Sequence, residues 1–456
     1  MATNNTNQKV IVRFPPSPTG TLHIGNVRTA LFNYFFARKN DGQFIVRIED
    51  TDKARSKKEY ELGMLEDLTW LGLSYSGELW HQSERTEVYK KYLHKLIDEG
   101  KVYISQETDG ENKEVARFKN PNKIVTFEDL VRGTISFDTT ELKDFIIARN
   151  INEPVYHLAV VVDDFESGVT HIMRGEDHIS NTPRHILLQE AIGAPQPIYM
   201  HLPLILAPDR SKLSKRKHGE QVSLGYYRNK GYLPEAMVNY LSLVGWNPGT
   251  DQEIFTLPEL ISTFDISQIQ KGGAIFDEKK LEWINKEHMK RMSITERNKN
   301  ISERLEKIGI NLDDISSKLE NPSLTEKLYP LIFDHISKWS DIDEMGRAGE
   351  LAYYFDSPLY EKDMLVWKDS NPDEAKKHLE KVLEILKNAS EENFENPEKT
   401  KSLVFDYATE NGRGQVLWPL RVALSGKEKS PDPFTLIYIL GKDESIVRLK
   451  TAIQKL

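Results

Sequence analysis

The sequence predicts an α/β chain built on a parallel sheet, interrupted by an inserted α+β segment and followed by an all-helical C-terminal region. Three observations carry this. A strand, a helix and a second strand fit within the first fifty residues, which makes a βαβ unit and hence a parallel sheet. From Val102 to about Pro154 the pattern turns irregular and polar. Beyond about residue 220 almost everything reads at helical spacing.

The elements follow in order. Residues 10–14 are a short β-branched run stopped by Pro15 and Pro16, a buried strand with an abrupt end. After Gly25 and Asn26, the apolar residues Val27, Ala30, Leu31, Tyr34 and Phe35 mark a helix. Residues 43–48 read as a second strand, followed by Glu49-Asp50-Thr51-Asp52. Residues 59–71 and 87–99 read as helices, and 145–147 as a short strand inside the insertion. Residues 158–162, all apolar, read as a buried strand ending at Asp163 and Asp164, where the sheet resumes. Residues 181–192 are expected to be helical, and 201–206 to be an apolar strand leading into a basic stretch. Further helices are expected over 234–245, 258–264, 375–387 and 445–454. No internal repeat is evident.

A chain of 456 residues is long enough for two to four domains. Zero Cys excludes disulfides and thiolate metal sites. No apolar run approaches the ~20 residues that span a bilayer. The first residues carry neither an apolar secretory core nor an Arg-rich leader, so a cytoplasmic protein is expected. With 61 basic and 70 acidic residues the net charge is −9, which disfavours a whole-molecule electrostatic grip on nucleic acid but not a local one. Arg210, Lys212, Lys215, Arg216 and Lys217 form a basic run punctuated by Ser211, Ser214 and Gly219. That punctuation reads as a flexible loop rather than a solvated helix face.

Two short motifs carry chemistry. In Pro16-Ser17-Pro18-Thr19-Gly20-Thr21-Leu22-His23-Ile24-Gly25-Asn26, the prolines stiffen the strand exit. Gly20 and Gly25 allow close backbone approach to a ligand. The helix that follows turns its free N–H groups back to this junction, which favours phosphate. His23 sits just before the helix, placed to donate to a phosphoryl oxygen. No Gly-x-Gly-x-x-Gly and no Gly-Lys-Ser/Thr loop is present, which counts against dinucleotide and Walker-type binding. The second motif, Lys212-Leu213-Ser214-Lys215-Arg216, puts a mobile basic loop across the nucleotide. Together, in this order, they describe a device for the triphosphate of ATP.

The first motif resembles the His-Ile-Gly-His element of class I aminoacyl-tRNA synthetases, and the second their Lys-Met-Ser-Lys-Ser element. More narrowly, the segment from Arg13 to Gly20 resembles the start of the bacterial glutamyl-tRNA synthetase family. So do Arg47-Ile-Glu-Asp-Thr-Asp, Tyr156-His-Leu-Ala-Val-Val-Val-Asp-Asp and Arg174-Gly-Glu-Asp-His. The likeness continues through Gly231-Tyr-Leu-Pro-Glu-Ala, Leu243-Val-Gly-Trp-Asn-Pro, Phe276-Asp and Val416-Leu-Trp-Pro-Leu-Arg. It covers nearly the whole chain.

The resemblance implies a Rossmann-like catalytic domain in two halves, 1–100 and 156–210, around an acceptor-stem-binding insertion at 101–155. A stem-contact domain at 211–290 and a helical anticodon-binding region at 291–456, divided near 350, would follow. It implies a glutamate pocket of Arg13, Ser17, Glu49, Tyr156 and Arg174. The chemistry agrees: a guanidinium matches a carboxylate bidentately, a carboxylate holds the substrate ammonium, and a phenol donates to a carboxylate. Which Arg takes which carboxylate stays open. ATP-binding residues by the same likeness are Pro16, Thr19, Gly20, His23, Gly25, Asn26, Asp177, Lys212, Ser214, Lys215 and Arg216, with Glu176 equally placed for a structural role. His23, Lys212 and Lys215 are the expected catalytic residues, stabilising phosphate charge with Mg²⁺ bridging the phosphates. The expected partners are L-glutamate and tRNA(Glu), with tRNA(Gln) open as a second acceptor. No membrane contact and a monomer are expected.

Asn26 replaces the second His of the broad motif and Arg216 its last Ser, as in the glutamyl branch. Without Cys, the zinc site that some relatives carry in the insertion is not expected. A glutaminyl enzyme would show Pro-Glu-Pro-Asn-Gly where this chain has Pro16-Ser17-Pro18-Thr19-Gly20, and would end in β-barrels. A truncated tRNA-modifying paralogue lacks the helical region, and a simple nucleotidyltransferase does not need it. Intact His23, Lys212 and Lys215 argue against a non-catalytic RNA-binding protein.

Overall fold

The computed structural model describes residues 9–107, 114–312, 315, 323–368 and 370–456. They form two compact units, one up to Met289 and one from Lys290.

In the first unit, strand β1 (Ile11–Phe14) leads through helix α1 (Ile24–Lys39) to β2 (Gln43–Ile48), which pairs parallel with β1. The register sets Arg13 opposite Ile45. Helix α2 (Lys58–Trp70) then leads to β3 (Trp80–His81), parallel to β2. Helix α3 (Thr86–Asp98) leads out to the insertion.

The insertion divides its strands between two sheets. Strands β4 (Val102–Gln106) and β5 (Glu114–Phe118) join two later strands, β8 (Phe145–Asn150) and β9 (Glu153–Pro154), in an antiparallel sheet of their own. The hairpin between them, β6 (Ile124–Asp129) and β7 (Gly133–Asp138), belongs elsewhere. It extends the parallel sheet of β10 (His171–Gly175) and β11 (Ile198–Leu202), through a pairing of Asp129 with Tyr199. The order there is β10-β11-β6-β7. Thr170 N–H donates to the Ile11 carbonyl at 3.0 Å, bringing β10 edge to edge with β1.

Three readings need correction. Residues 158–162 are not a strand but the middle of helix α4 (Tyr156–Glu166). Residues 158–164 are buried without exception, so the run has no polar face and its apolar pattern carries no period. The strand expected over 201–206 is broken at Pro203, which has no N–H to give a ladder. Strand β11 ends at Leu202 and β12 (Ile205–Leu206) starts afresh. The basic stretch is not wholly a loop: Lys215–His218 forms one helical turn, α6, with Ser214 O accepting from the N–H groups of Lys217 and His218.

Helix α1 is buried on nearly all sides, with Val27, Leu31, Phe32 and Phe35 among Val12, Phe44 and Phe264 in one core. This fixes its N-terminus beside the end of β1. A second core gathers α3, α4, helix α5 (Thr182–Ile192) and the inserted strands. From Glu278 onward the described residues contain helices and no strand. The second unit includes Pro372–Asn388, Pro397–Glu410, Arg413–Ser425 and Pro433–Lys455, the last interrupted by Gly441 at φ 80°. No described helix is long and apolar enough to cross a membrane.

Candidate active site

His23 is the N-cap of α1, in extended backbone with φ −102° and ψ 156°. Its Nδ1 accepts the Asn26 N–H at 3.2 Å, so the ring proton is assigned to Nε2. The ring is open to the cavity, yet the walls around it cost it hydration. That loss, with the Lys212 charge, lowers its pKa below the ordinary value against the opposing pull of Asp177. A neutral ring with a free Nε2–H is a donor suited to a phosphoryl oxygen. A Cβ on Gly25 would stand 3.0 Å from Cε1 and Nδ1 of His23, so glycine there leaves the ring its place.

The ends of β1, β2 and α4 meet in a buried ion cluster. Arg13 Nε donates to both oxygens of Asp164 at 3.3 Å. Arg47 donates to Asp164 at 2.8 Å and to Glu49 at 3.1 Å. Asp163 accepts from Gln82 at 2.9 Å, Arg85 at 2.7 Å and the Tyr89 hydroxyl at 2.8 Å. Burial pushes the Asp164 carboxyl up, but Arg13 and Arg47 outweigh it and hold it below the usual range. Glu49 goes the other way: burial raises it, and Arg47 and Arg13 only partly offset this. An arriving cation would therefore be welcome at Glu49. The terminal nitrogens of Arg13 have no protein acceptor among the described residues.

Arg174, at the end of β10, is equally buried but differently held. Its Nε donates to His201 Nε2 at 3.2 Å, its Nη1 to His185 Nδ1 at 3.2 Å and its Nη2 to the Thr182 hydroxyl at 2.9 Å. Among the described residues no carboxylate touches it. Tyr156, at the N-terminus of α4, places its hydroxyl 3.3 Å from His178 Nδ1, and burial pushes its pKa up to about 12.

These groups line one cavity of about 630 Å³. Its walls hold Arg13, Ser17, Glu49, Tyr156 and Arg174 from the expected amino-acid pocket. They also hold Pro16, Thr19, Gly20, His23, Gly25 and Asn26 from the first motif, and Asp177, Lys212 and Ser214. The two motifs meet because the chain after the basic stretch returns to the first one. Leu224 N–H donates to Leu22 O at 2.9 Å, and the Ser223 hydroxyl to that of Thr21 at 3.1 Å. Lys212 Nζ lies 3.1 Å from Asp177, in an exposed ion pair. Arg216 is exposed and is not part of the wall. The side chain of Lys215 lies outside the described residues. Glu176 accepts from Arg132 at 2.6 Å and from Leu204 N–H at 2.8 Å.

Known proteins resemble this chain along its length. The family "tRNA synthetases class I (E and Q), catalytic domain" matches residues 9–114 and 104–283, and an anticodon binding domain matches 299–453. The chain belongs to the class I tRNA synthetases for E and Q. Glutamate–tRNA ligase 1 of Petrotoga mobilis is 39% identical over 469 residues, covering 97% of each chain. The glutamate–tRNA ligase of Carboxydothermus hydrogenoformans is 39% identical over 96% of this chain and 99% of its own. The crystal structure of a glutamate tRNA ligase from Elizabethkingia meningosepticum, in complex with its amino acid, is similar at TM-score 0.84 and 30% identity. It covers 98% of this chain and all of that one.

In this synthetase several residues in and behind the cavity wall escape a reading by motif. Asp164 and Arg47 stand inside quoted motifs, yet nothing in their spacing shows that they clasp Arg13. Arg28, inside α1, donates to the carbonyls of Pro203 and Val244 and ties the helix to the approach of the basic stretch. Burial pushes its pKa down to about 10. His201, His185, Thr182 and Asp129 come together only through sheet order, which leaves no local signal.

Proposed function

We propose that this one cavity carries out both half-reactions of glutamate–tRNA ligation. The chain is a glutamate–tRNA ligase of the class I type, which uses ATP. The observation that carries the site assignment is the polarity of the cavity. Three buried guanidiniums, Arg13, Arg28 and Arg174, and one buried carboxylate, Glu49, line it together with a phosphate-type end of His23 and Lys212, and of the three Arg28 is tied to backbone carbonyls.

Glutamate brings two carboxylates and one ammonium. Arg13 and Arg174 take the carboxylates, and the Tyr156 hydroxyl and Ser17 add donors. The ammonium goes to Glu49, whose second oxygen has no partner among the described residues. ATP enters as its Mg²⁺ salt along residues 16–26, with its phosphates toward the N-terminus of α1. A carboxylate oxygen of glutamate attacks the α-phosphorus and pyrophosphate leaves. The protein does little covalent work; it holds the reactants in line and supplies positive charge and donors where charge develops. His23 Nε2–H donates to a phosphoryl oxygen. Lys212 leaves Asp177 for the phosphates, and Lys215 joins from the turn that follows. A ribose hydroxyl of the terminal tRNA adenosine then attacks the activated carbonyl and AMP leaves. The helical second unit reads the anticodon. No zinc takes part in this scheme, since a chain without Cys offers no thiolate set.

Aminoacylation of purified tRNA(Glu) and tRNA(Gln), each with glutamate and with glutamine, tests this reading. Glutamate should be used with tRNA(Glu) and glutamine should not. Equal use of glutamine would overturn the assignment of Arg13 and Arg174, because a carboxamide cannot satisfy a buried cation as a carboxylate does. The tRNA(Gln) arm fixes the range of acceptors.

A further inference from the structure

We propose that Asp129 and His201 are positioning residues for the glutamate site, holding the Arg174 guanidinium as a cation with no neutralising partner. This rests on the reading above that Arg174 binds a substrate carboxylate.

The argument starts from what a guanidinium can do. It only donates, so each ring nitrogen that faces it must be a bare acceptor. His201 Nε2 and His185 Nδ1, both 3.2 Å from Arg174, are therefore unprotonated. The ring proton of His201 sits on Nδ1, which lies 2.6 Å from Asp129 Oδ2. Asp129 thus fixes the tautomer that lets His201 accept from Arg174. Burial lowers the pKa of His201 although Asp129 pulls it up, consistent with a neutral ring. Tyr199 stacks on that ring at 6.0 Å and 9°, fixing its plane.

The arrangement separates orientation from charge. Arg13 and Arg47 are oriented by carboxylates in direct contact. Arg174 is oriented by neutral imidazoles, the Thr182 hydroxyl and the His178 carbonyl, while the Asp129 carboxylate stands one ring away, behind His201. Asp129 and His201 are 3% and 0% exposed, so no solvent competes for these bonds. Asp129 belongs to the inserted hairpin, at the end of β6, and its other oxygen is already occupied. Oδ1 accepts from the N–H groups of Val131 at 2.9 Å, Arg132 at 2.8 Å and His201 at 3.3 Å. The hairpin turn and the Arg174 guanidinium are thus tied to one carboxylate, the second through His201.

That division of labour makes Asp129→Asn a sharp test. The amide oxygen can keep the three backbone N–H groups of the turn. The amide nitrogen then faces His201 Nδ1 and donates to it, which drives the ring proton to Nε2. Two donors, Nε2–H and Arg174 Nε–H, would then confront each other. KM for glutamate should rise about tenfold or more, as for a lost hydrogen bond to a charged group, with KM for ATP unchanged and kcat nearly so. His201→Gln, with Asp129 kept, supplies an amide whose oxygen accepts from Arg174 and whose nitrogen donates to Asp129, so glutamate KM should stay within about threefold of wild type. His201→Leu, which offers no acceptor, should raise it as Asp129→Asn does, a contrast that a merely space-filling His201 would not produce. Arg174→Ala is measured beside them. If it leaves glutamate KM unchanged, the reading of Arg174 fails and the inference with it. If it raises KM while Asp129→Asn does not, the reading stands and the positioning role is overturned. A glutamate KM raised as much by His201→Gln as by His201→Leu also overturns it.

Discussion

At the end of the cavity proposed for the amino acid, Arg13, Arg47, Asp163, Asp164 and Arg174 are buried and tied to one another or to neutral partners. At the end proposed for the phosphates, Lys212 meets a single carboxylate, Asp177, and the side chains of this pair are 57% and 45% exposed. The difference is one of reorganisation. Burying charge costs several kcal/mol per ion and is tolerated only where the geometry is fixed. Such a site cannot adapt, and discrimination between similar side chains needs it not to. The exposed pair costs little to make or break. A basic segment that must meet ATP, act as the transition state forms and release pyrophosphate gains from that low cost.

The comparison is broken most severely by removing Asp164. Asp164→Ala leaves Arg13 and Arg47 buried without their shared partner. Unfolding free energy should fall by about 3–5 kcal/mol, as for a buried pair cut on one side. Denaturant titration measures it at constant slope. An effect below about 1 kcal/mol would mean that the cluster is solvated in solution and that the cavity is not stiff at this end.

Lys212→Ala should do the reverse. Removing a charge that acts at the developing phosphate should slow glutamyl-adenylate formation by about 10²–10³-fold. Stability should change by less than about 1 kcal/mol, because the pair it leaves is exposed. Single-turnover kinetics beside a denaturant titration gives both numbers. Loss of tRNA binding with intact adenylate chemistry would make the basic segment an RNA contact instead.

The two ends also differ in how well the sequence discloses them. The phosphate end is local: prolines, a histidine and a glycine occupy a strand-to-helix border, and a basic run is punctuated by serines. Their chemistry is visible without knowing the fold. At the amino-acid end, the lining residues Arg13 and Glu49 stand at strand ends and are legible for that reason. The groups that hold them are not. Asp163 and Asp164 read from the sequence as the end of a strand, whereas helix α4 carries them. A five-residue apolar run buried on every side has no face from which a period could be read. The partners of Arg174 include side chains from α5 and β11, the carboxylate behind His201 comes from the inserted hairpin, and only the order β10-β11-β6-β7 brings Asp129 and His201 there. Side-chain spacing along the chain carries no trace of such a meeting.

The smallest effect is expected at Asp177, and it sharpens the comparison. Asp177 and Lys212 partner each other across the cavity mouth at 3.1 Å. The Asp177 carboxyl is held below its usual range: burial raises it, but the Lys212 hydrogen bond and nearby positive charge more than offset that. If Asp177 only holds Lys212 in waiting, Asp177→Asn removes a pair worth about 0–1 kcal/mol. Adenylate formation should then change by less than about fivefold in either direction. KM for ATP should shift by no more than the same factor, since the phosphates replace Asp177 as the partner of Lys212. Steady-state kinetics in ATP, at two ionic strengths, reads this directly, and the effect should shrink at the higher salt. A fall of about a hundredfold or more that does not depend on salt would require Asp177 to act on the nucleotide itself. The phosphate end would then contain a group as fixed as any at the other end, and the contrast between a stiff recognition site and a loosely held catalytic segment would not hold.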